Sequence, residues 1–229
     1  LSLDDPQEEE FAVAQASALS FYHHWSFPRN ARRYFERYAL FEGVPESVVR
    51  RWQEVYLGIL RKAAWRAGWK RLALKNPVNM ARIRPLLELF PNAKFIHVYR
   101  NPYTVFLSTR HFFRRVLEVT QLQTIDCDEI DANILWFYEK MVGGFLAAKD
   151  LIPPQNLVEV RFEDFEARPM AEMRRVYECL ELPGFDAAEP RFQDYFASLA
   201  SYEKNQYDLD EDAVAKVKQH WQFAVRQWG

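Results

Sequence analysis

Two short segments place a cation after an apolar run and before an Asn-Pro pair: Leu72-Ala73-Leu74-Lys75-Asn76-Pro77 and Ile96-His97-Val98-Tyr99-Arg100-Asn101-Pro102. Asn is a good N-cap and Pro a good first helical residue, so each cation is expected between a strand end and a helix start. In open α/β sheets ligands bind in the crevice beyond the strand ends, where a helix N-terminus presents free N–H groups and the positive end of its dipole. Arg100 offers an oxyanion a planar fork of donors, and Ser108, two turns into the helix, offers a hydroxyl. Lys75 is a point charge that can follow a group in transfer and stabilise charge developing on it. The chemistry these residues suit is the holding of phosphate or sulfate. The plainer alternative pairs Arg100 with a carboxylate, lets Ser108 fill space and leaves Lys75 as a solvated strand end; repetition of the unit in tandem favours the anion site.

The elements that must position these residues follow from periodicity and punctuation. Residues 71–74 read as a short apolar strand, residues 93–99 as a buried strand bounded by Pro91-Asn92 and Asn101-Pro102, and residues 157–161 as a third strand. Helical spacing runs over 7–23 and 29–40, interrupted at Phe27-Pro28, and over 46–67, ending near Gly68. Further helices are expected from Asn76-Pro77 through Leu89, from Pro102 through Phe113, and, after a polar break at Thr124 to Asp131, through Trp136 to about Leu151. Pro169 opens another, Pro183-Gly184 stops it, and Asp210 or Glu211 to Trp228 forms the last. Helices between strands imply a parallel sheet with crossovers. The 229 residues suffice for one domain. Within it, residues 1–69 read as a helical substrate-side region, 70–165 as a strand–helix core and 166–229 as a C-terminal helical region.

Composition narrows the function. A net charge of -2 argues against a general nucleic-acid binder, which carries a basic excess. Basic clusters at Arg110 to Arg115 and Arg29 to Arg33 could still attract an anionic cofactor or substrate, although a solvated helix face suits Arg32 and Arg33 better. Aromatics make up 16% of the chain, and most of its seven tryptophans are expected to pack in the core. Cys127 and Cys179 match no metal-ligand spacing, so reduced thiols and no metal are expected. No apolar stretch is long enough to span a bilayer.

The segment PNAKFIHVYRNPYTVFLSTRHF resembles the 3′-phosphate-binding motif of sulfotransferases that use 3′-phosphoadenosine 5′-phosphosulfate (PAPS), in their carbohydrate, tyrosyl-protein and bacterial-type branch. RLALKNP looks like that family's lysine-bearing strand, LVEVRFEDFEARPMAEMRRVYECLELP like its later strand and helix, and YEKNQYDLDEDAVAKVKQHW like its C-terminal region. The resemblance implies a P-loop NTPase-like α/β fold, a parallel sheet flanked by many helices. It implies that Arg100 and Ser108 bind the 3′-phosphate, that Lys75 lies near the sulfuryl group, and that Lys204 is a further cofactor contact. It also implies transfer to a hydroxyl or amine of a small-molecule, carbohydrate or protein acceptor, leaving adenosine 3′,5′-bisphosphate, in bacterial cytoplasm or the Golgi lumen according to source. The family's Arg-Ser-Gly-Thr-Thr turn after its first strand is not found in this sequence. The first strand and P-loop are therefore expected to be missing, and the chain to hold half a cofactor site that need not be active alone.

A general base must take the acceptor's proton, and the family uses His or a carboxylate. Candidates are Glu8, Glu9 and Glu10, for which an acidic helix start is the commoner explanation, together with His23 and His24. His97, in mid-strand, reads as a core residue. Arg82 is expected to contact either an anionic substrate or a sheet-edge carboxylate, with no basis in the sequence for choosing. Two other classes share parts of this pattern. A P-loop kinase would need a Gly-Lys-Ser/Thr loop and a magnesium-holding carboxylate, whereas a non-catalytic module for phosphorylated or sulfated ligands would need neither base nor P-loop.

Overall fold

A computed structural model describes residues 7–199 and 207–228. Its backbone forms two compact units, one drawn from residues up to Arg82 and from Phe112–Gly144, the other from Ile83–His111 and from Phe145 onward.

The first unit is helical. Helix α1 spans Glu9–Ala16, α2 Ala31–Tyr38 and α3 Glu46–Arg66, with 3-10 turns at Phe21–Trp25, Pro28–Asn30 and Pro77–Arg82. The helical spacing over 7–23 thus resolves into α1 and a separate 3-10 turn, because Ser17 and Ser20 intervene: each side chain accepts from the N–H two residues on, a local bond that competes with a continuing helix. Helix α3 buries Trp52, Tyr56 and Leu60, one residue per turn. It stops in a Schellman motif, the N–H of Gly68 (φ 65°) donating to Trp65 O and that of Trp69 to Ala64 O. Helices α5 (Pro102–Thr120) and α6 (Cys127–Ala148) each run from one stretch of the division into the other. Helix α6 begins inside the expected polar break, since Asp126 Oδ1 accepts the Glu129 N–H at 2.7 Å and caps it. The core here is aromatic: Phe35 and Phe137 stack with ring centroids 4.7 Å apart, beside Phe21 and Val78.

In the second unit, strand β1 (Phe95–Tyr99) pairs in parallel with β2 (Leu157–Arg161), in register from Phe95 opposite Leu157 to Tyr99 opposite Arg161. Helix α4 (Ile83–Leu89) precedes β1; α7 (Phe162–Ala167), α8 (Pro169–Cys179), α9 (Phe185–Ser198), α10 (Glu211–His220) and α11 (Gln222–Trp228) follow β2. Helix α9 is an element that periodicity did not pick out, its pattern being interrupted by Pro190. Helix α8 ends on Glu181 at φ 50°, and Gly184 at φ 86° turns the chain into α9.

Two strand expectations are corrected. Residues 71–74 are not a strand, because no described segment pairs with their backbone, and ladder bonds define a strand. β1 is buried on one face only. His97 packs on Phe145 and Trp228, while Ile96 and Val98 opposite are 52% and 54% exposed. Of the tryptophans, Trp52, Trp221 and Trp228 are buried, whereas Trp65 and Trp69 at the end of α3 are exposed.

Candidate functional site

Of three consecutive glutamates, Glu8 precedes α1 in extended conformation while Glu9 and Glu10 open the helix, about 100° apart around it, so their carboxylates leave in different directions. They are not simply a solvated acidic helix start, since Glu9 and Glu10 are buried. Glu10 and Arg82, both 0% exposed, form a fully buried ion pair. Arg82 Nη1 donates to Glu10 Oε2 at 2.6 Å and Nη2 donates to the Tyr38 carbonyl, while Ser20 Oγ donates to Glu10 Oε1 at 2.7 Å. The guanidinium also lies over the Trp52 ring, 4.8 Å from its centroid. Burial alone would raise the Glu10 carboxyl, but the charge and hydrogen bonds of Arg82, with Ser20 and Asn76, hold it below its ordinary value. Arg82 thus meets a carboxylate of the protein, on a helix and not at a sheet edge.

Glu9 Oε1 accepts from Tyr56 Oη at 3.1 Å and Asn79 Nδ2 at 3.0 Å. Burial, and then the Glu9 charge, push the Tyr56 phenol well above its usual range, so it remains a donor.

Glu8 differs from its neighbours in reaching the edge of the unit. Its Oε2 accepts from the Tyr22 hydroxyl and its Oε1 pairs with Lys75 Nζ. The Lys75 side chain is 81% exposed. Burial and the hydrogen bond to Glu8 push the Tyr22 phenol far up, so it stays protonated and donates. Asn76, next to Lys75, ties this turn down. Its Oδ1 accepts the Val78 N–H at 3.2 Å, and its Nδ2 donates to Glu9 and Glu10. Tyr22, Tyr56, Asn76 and Asn79 are site residues that sequence reasoning missed. Among them only Asn76, in its Asn-Pro pair, carries a signal in the sequence, that of a helix cap.

The two histidines part company. His24 is 2% exposed, its ring stacked on Phe21 and packed near Trp25, Phe113 and Phe137. Burial depresses its pKa to about 4, although the bond to the Phe21 carbonyl opposes this, so it is a neutral core residue. His23 instead lines a cavity of about 510 Å³, its Nε2 3.1 Å from Ser17 O.

In the second unit, Arg100 follows the last residue of β1 and lies over the Phe162 ring, 4.5 Å from its centroid. Glu163, next to Phe162, accepts the Asn101 N–H at 3.1 Å. The Asn101 side chain accepts the N–H groups of Tyr103 at 3.0 Å and Thr104 at 3.4 Å, and Pro102 has no N–H. The start of α5 is therefore capped by the protein itself, which corrects the expectation of free amides facing a ligand. What remains for an anion is side chains. Arg100 has no carboxylate partner and Ser108 no hydrogen-bond partner among the described residues. A half-exposed guanidinium and a hydroxyl suit a phosphate oxyanion. Lys204 lies outside the described residues.

Among the described residues, no three His, Cys, Asp or Glu are grouped to hold a metal, and no helix is long and apolar enough to cross a membrane.

Comparison with known proteins places the chain in a family. The chain is 33% identical over its 229 residues to the omega-hydroxy-beta-dihydromenaquinone-9 sulfotransferases Stf3 of Mycobacterium bovis and Mycobacterium tuberculosis, and spans 58% of their length. The crystal structure of sulfotransferase STF9 from Mycobacterium avium superposes with a TM-score of 0.75 at 23% identity, over 97% of this chain and 56% of that one, so the α/β fold is of the same type. Because residues 2–187, most of the chain, match the model of the sulfotransferase family, the chain belongs to that family.

Proposed function

We propose that the protein acts in transfer of a sulfuryl group from PAPS to a hydroxyl of a small-molecule acceptor, with Glu8 as the general base. The observation that carries this reading is the Lys75–Glu8–Tyr22 grouping: a part-buried carboxylate oriented by a part-buried phenol and paired with an exposed cation. Bound PAPS supplies a sulfuryl group activated by its link to phosphate. Glu8 takes the proton of the acceptor hydroxyl as the new oxygen–sulfur bond forms and the bond from sulfur to the leaving phosphate breaks. Tyr22 holds the carboxylate in place during that transfer. Lys75, on a four-carbon stem, moves from Glu8 toward the sulfuryl oxygens and offsets the charge gathering between sulfur and leaving group. Arg100 and Ser108 hold the 3′-phosphate and so discriminate the nucleotide. The relatives' acceptor, omega-hydroxy-beta-dihydromenaquinone-9, is the first to screen.

The test is calorimetric titration with adenosine 3′,5′-bisphosphate, with 5′-AMP as the control lacking the 3′-phosphate. Preferential binding of the bisphosphate supports the reading; equal affinity for both nucleotides overturns it.

A further inference from the structure

Helix α2 shows two faces of opposite character. Ala31, Phe35 and Ala39 pack into the aromatic core. The stripe at Asn30, Arg33, Tyr34, Arg37 and Tyr38, with the 3- and 4-residue spacing of one helix face, lines the 510 Å³ cavity with His23 and Phe27 across from it. That volume suits a small organic ligand.

The chemistry of this wall is specific. Arg33 and Arg37 stand one turn apart on one face, an arrangement that costs stability through like-charge repulsion unless an anion lies between them. No carboxylate pairs with either among the described residues; Glu36, the acid of α2, forms no ion pair with them, and Arg37 only flanks the Tyr38 ring. Arg32 shows what a structurally occupied arginine looks like here: it donates to Asn133 and Ala132 and lies over Trp136. Beside the two free guanidiniums, Tyr34, Tyr38 and Phe27 offer flat apolar surface. His23 is fixed by Ser17 and tilted against Tyr34, ring centroids 5.9 Å apart.

The cavity is also tied to the proposed base. Tyr22, which donates to Glu8, and His23, which lines the cavity, are adjacent in one 3-10 turn, and the Tyr38 carbonyl accepts from Arg82 of the buried pair. We propose that this cavity binds the non-reacting part of an acceptor that carries an oxyanion beside an aromatic or aliphatic body, with Arg33 and Arg37 gripping the oxyanion and Tyr34, Tyr38 and Phe27 the body. The acceptor role rests on the sulfotransferase reading; the anion binding does not.

The probe is 6-hydroxy-2-naphthoate, titrated calorimetrically at low salt against its uncharged methyl ester, with the protein and with Arg33→Gln/Arg37→Gln. The acid is expected to bind at least about tenfold tighter than the ester, the scale of a charge-assisted hydrogen bond, and the double variant to bring the two to equal affinity. Arg33→Gln alone, at an exposed position, is expected to remove part of the preference and guards against loss of fold in the double variant. Equal binding of acid and ester, no binding of either, or a preference that survives both variants overturns the proposal. Adenosine 3′,5′-bisphosphate titrated in parallel separates the two readings. Naphthoate binding without bisphosphate preference keeps the pocket and removes the transferase role; the converse keeps the role and removes the pocket.

Discussion

Glu8 and Lys75, 67 positions apart, meet in an ion pair whose carboxylate is held from the other side by Tyr22. The pair joins three segments: the residue before α1, the 3-10 turn at Phe21–Trp25, and the turn opened by Asn76-Pro77. A carboxylate bound at both oxygens is oriented, and the lysine that pairs with it is itself exposed.

Glu8→Gln keeps a side chain of the same shape that can still accept from Tyr22 but cannot take a proton. Sulfuryl transfer should fall by roughly 10²–10⁴-fold, the usual contribution of a general base. Affinity for adenosine 3′,5′-bisphosphate should not change. Lys75→Ala should likewise reduce turnover more than nucleotide affinity. Steady-state rates beside titrations check both, and a Glu8→Gln protein with normal turnover would assign the base elsewhere.

Arg100→Ala should weaken binding of adenosine 3′,5′-bisphosphate by roughly 1.5–3 kcal/mol while leaving 5′-AMP unaffected. Ser108→Ala should cost less, about 1 kcal/mol, because its hydroxyl is neutral. Calorimetry with the two nucleotides reads the difference directly; an equal loss for both would mean that Arg100 does not see the 3′-phosphate.

The Glu10–Arg82 pair holds α1 to the Pro77–Arg82 turn. Arg82→Met strands a buried carboxylate and should destabilise the fold by about 3–5 kcal/mol, whereas Glu10→Met/Arg82→Met should recover much of that loss. Because the Glu10 carboxyl lies below its ordinary value, the stability it contributes is present at neutral pH and is lost as pH falls through its folded value. Urea unfolding of the single and double variants measures the coupling, and additive effects would show that the two groups act independently.

His24 is neutral in the fold, with a pKa of about 4 against 6.5 for an ordinary histidine. Between these values the unfolded chain binds a proton that the folded chain does not, so stability rises with pH across that window and levels off above it. The contribution is about 3 kcal/mol lost on acidification from pH 6.5 to 4. His24→Phe should flatten that part of the profile, at a cost of about 1 kcal/mol for the bond to Phe21 O. Unfolding free energies at pH 7, 5.5 and 4.5 give the slope, and an unchanged slope would show that His24 titrates normally.

Local signals were legible where one stretch of chain settles its own conformation. Asn101-Pro102 opens α5, Gly68 closes α3, and β2 lies at Leu157–Arg161, after Pro153-Pro154 and with β-branched Val158 and Val160 within it. Residues 71–74 carried the same apolar signal without becoming a strand, because a ladder needs a second backbone and composition says nothing about whether one is alongside. Asp126 likewise set the start of α6 inside a stretch whose polarity read as a break.

By itself the sequence offered Lys75, Arg100 and Ser108, in their spaced cation–Asn-Pro units, as candidates to hold an anion, and a motif that resembles one family. Only the tertiary structure decided which acid meets an exposed cation and which acids serve the core. Glu8, Glu9 and Glu10 are identical in type and adjacent in sequence, yet the entry into α1 sends one to an exposed lysine, one to buried phenol and amide groups, and one to a buried guanidinium. The same holds for His23 and His24, one on a cavity and one in the aromatic core. Side-chain roles at such positions are set by partners as many as 72 residues away, and no local pattern encodes a partner at that distance.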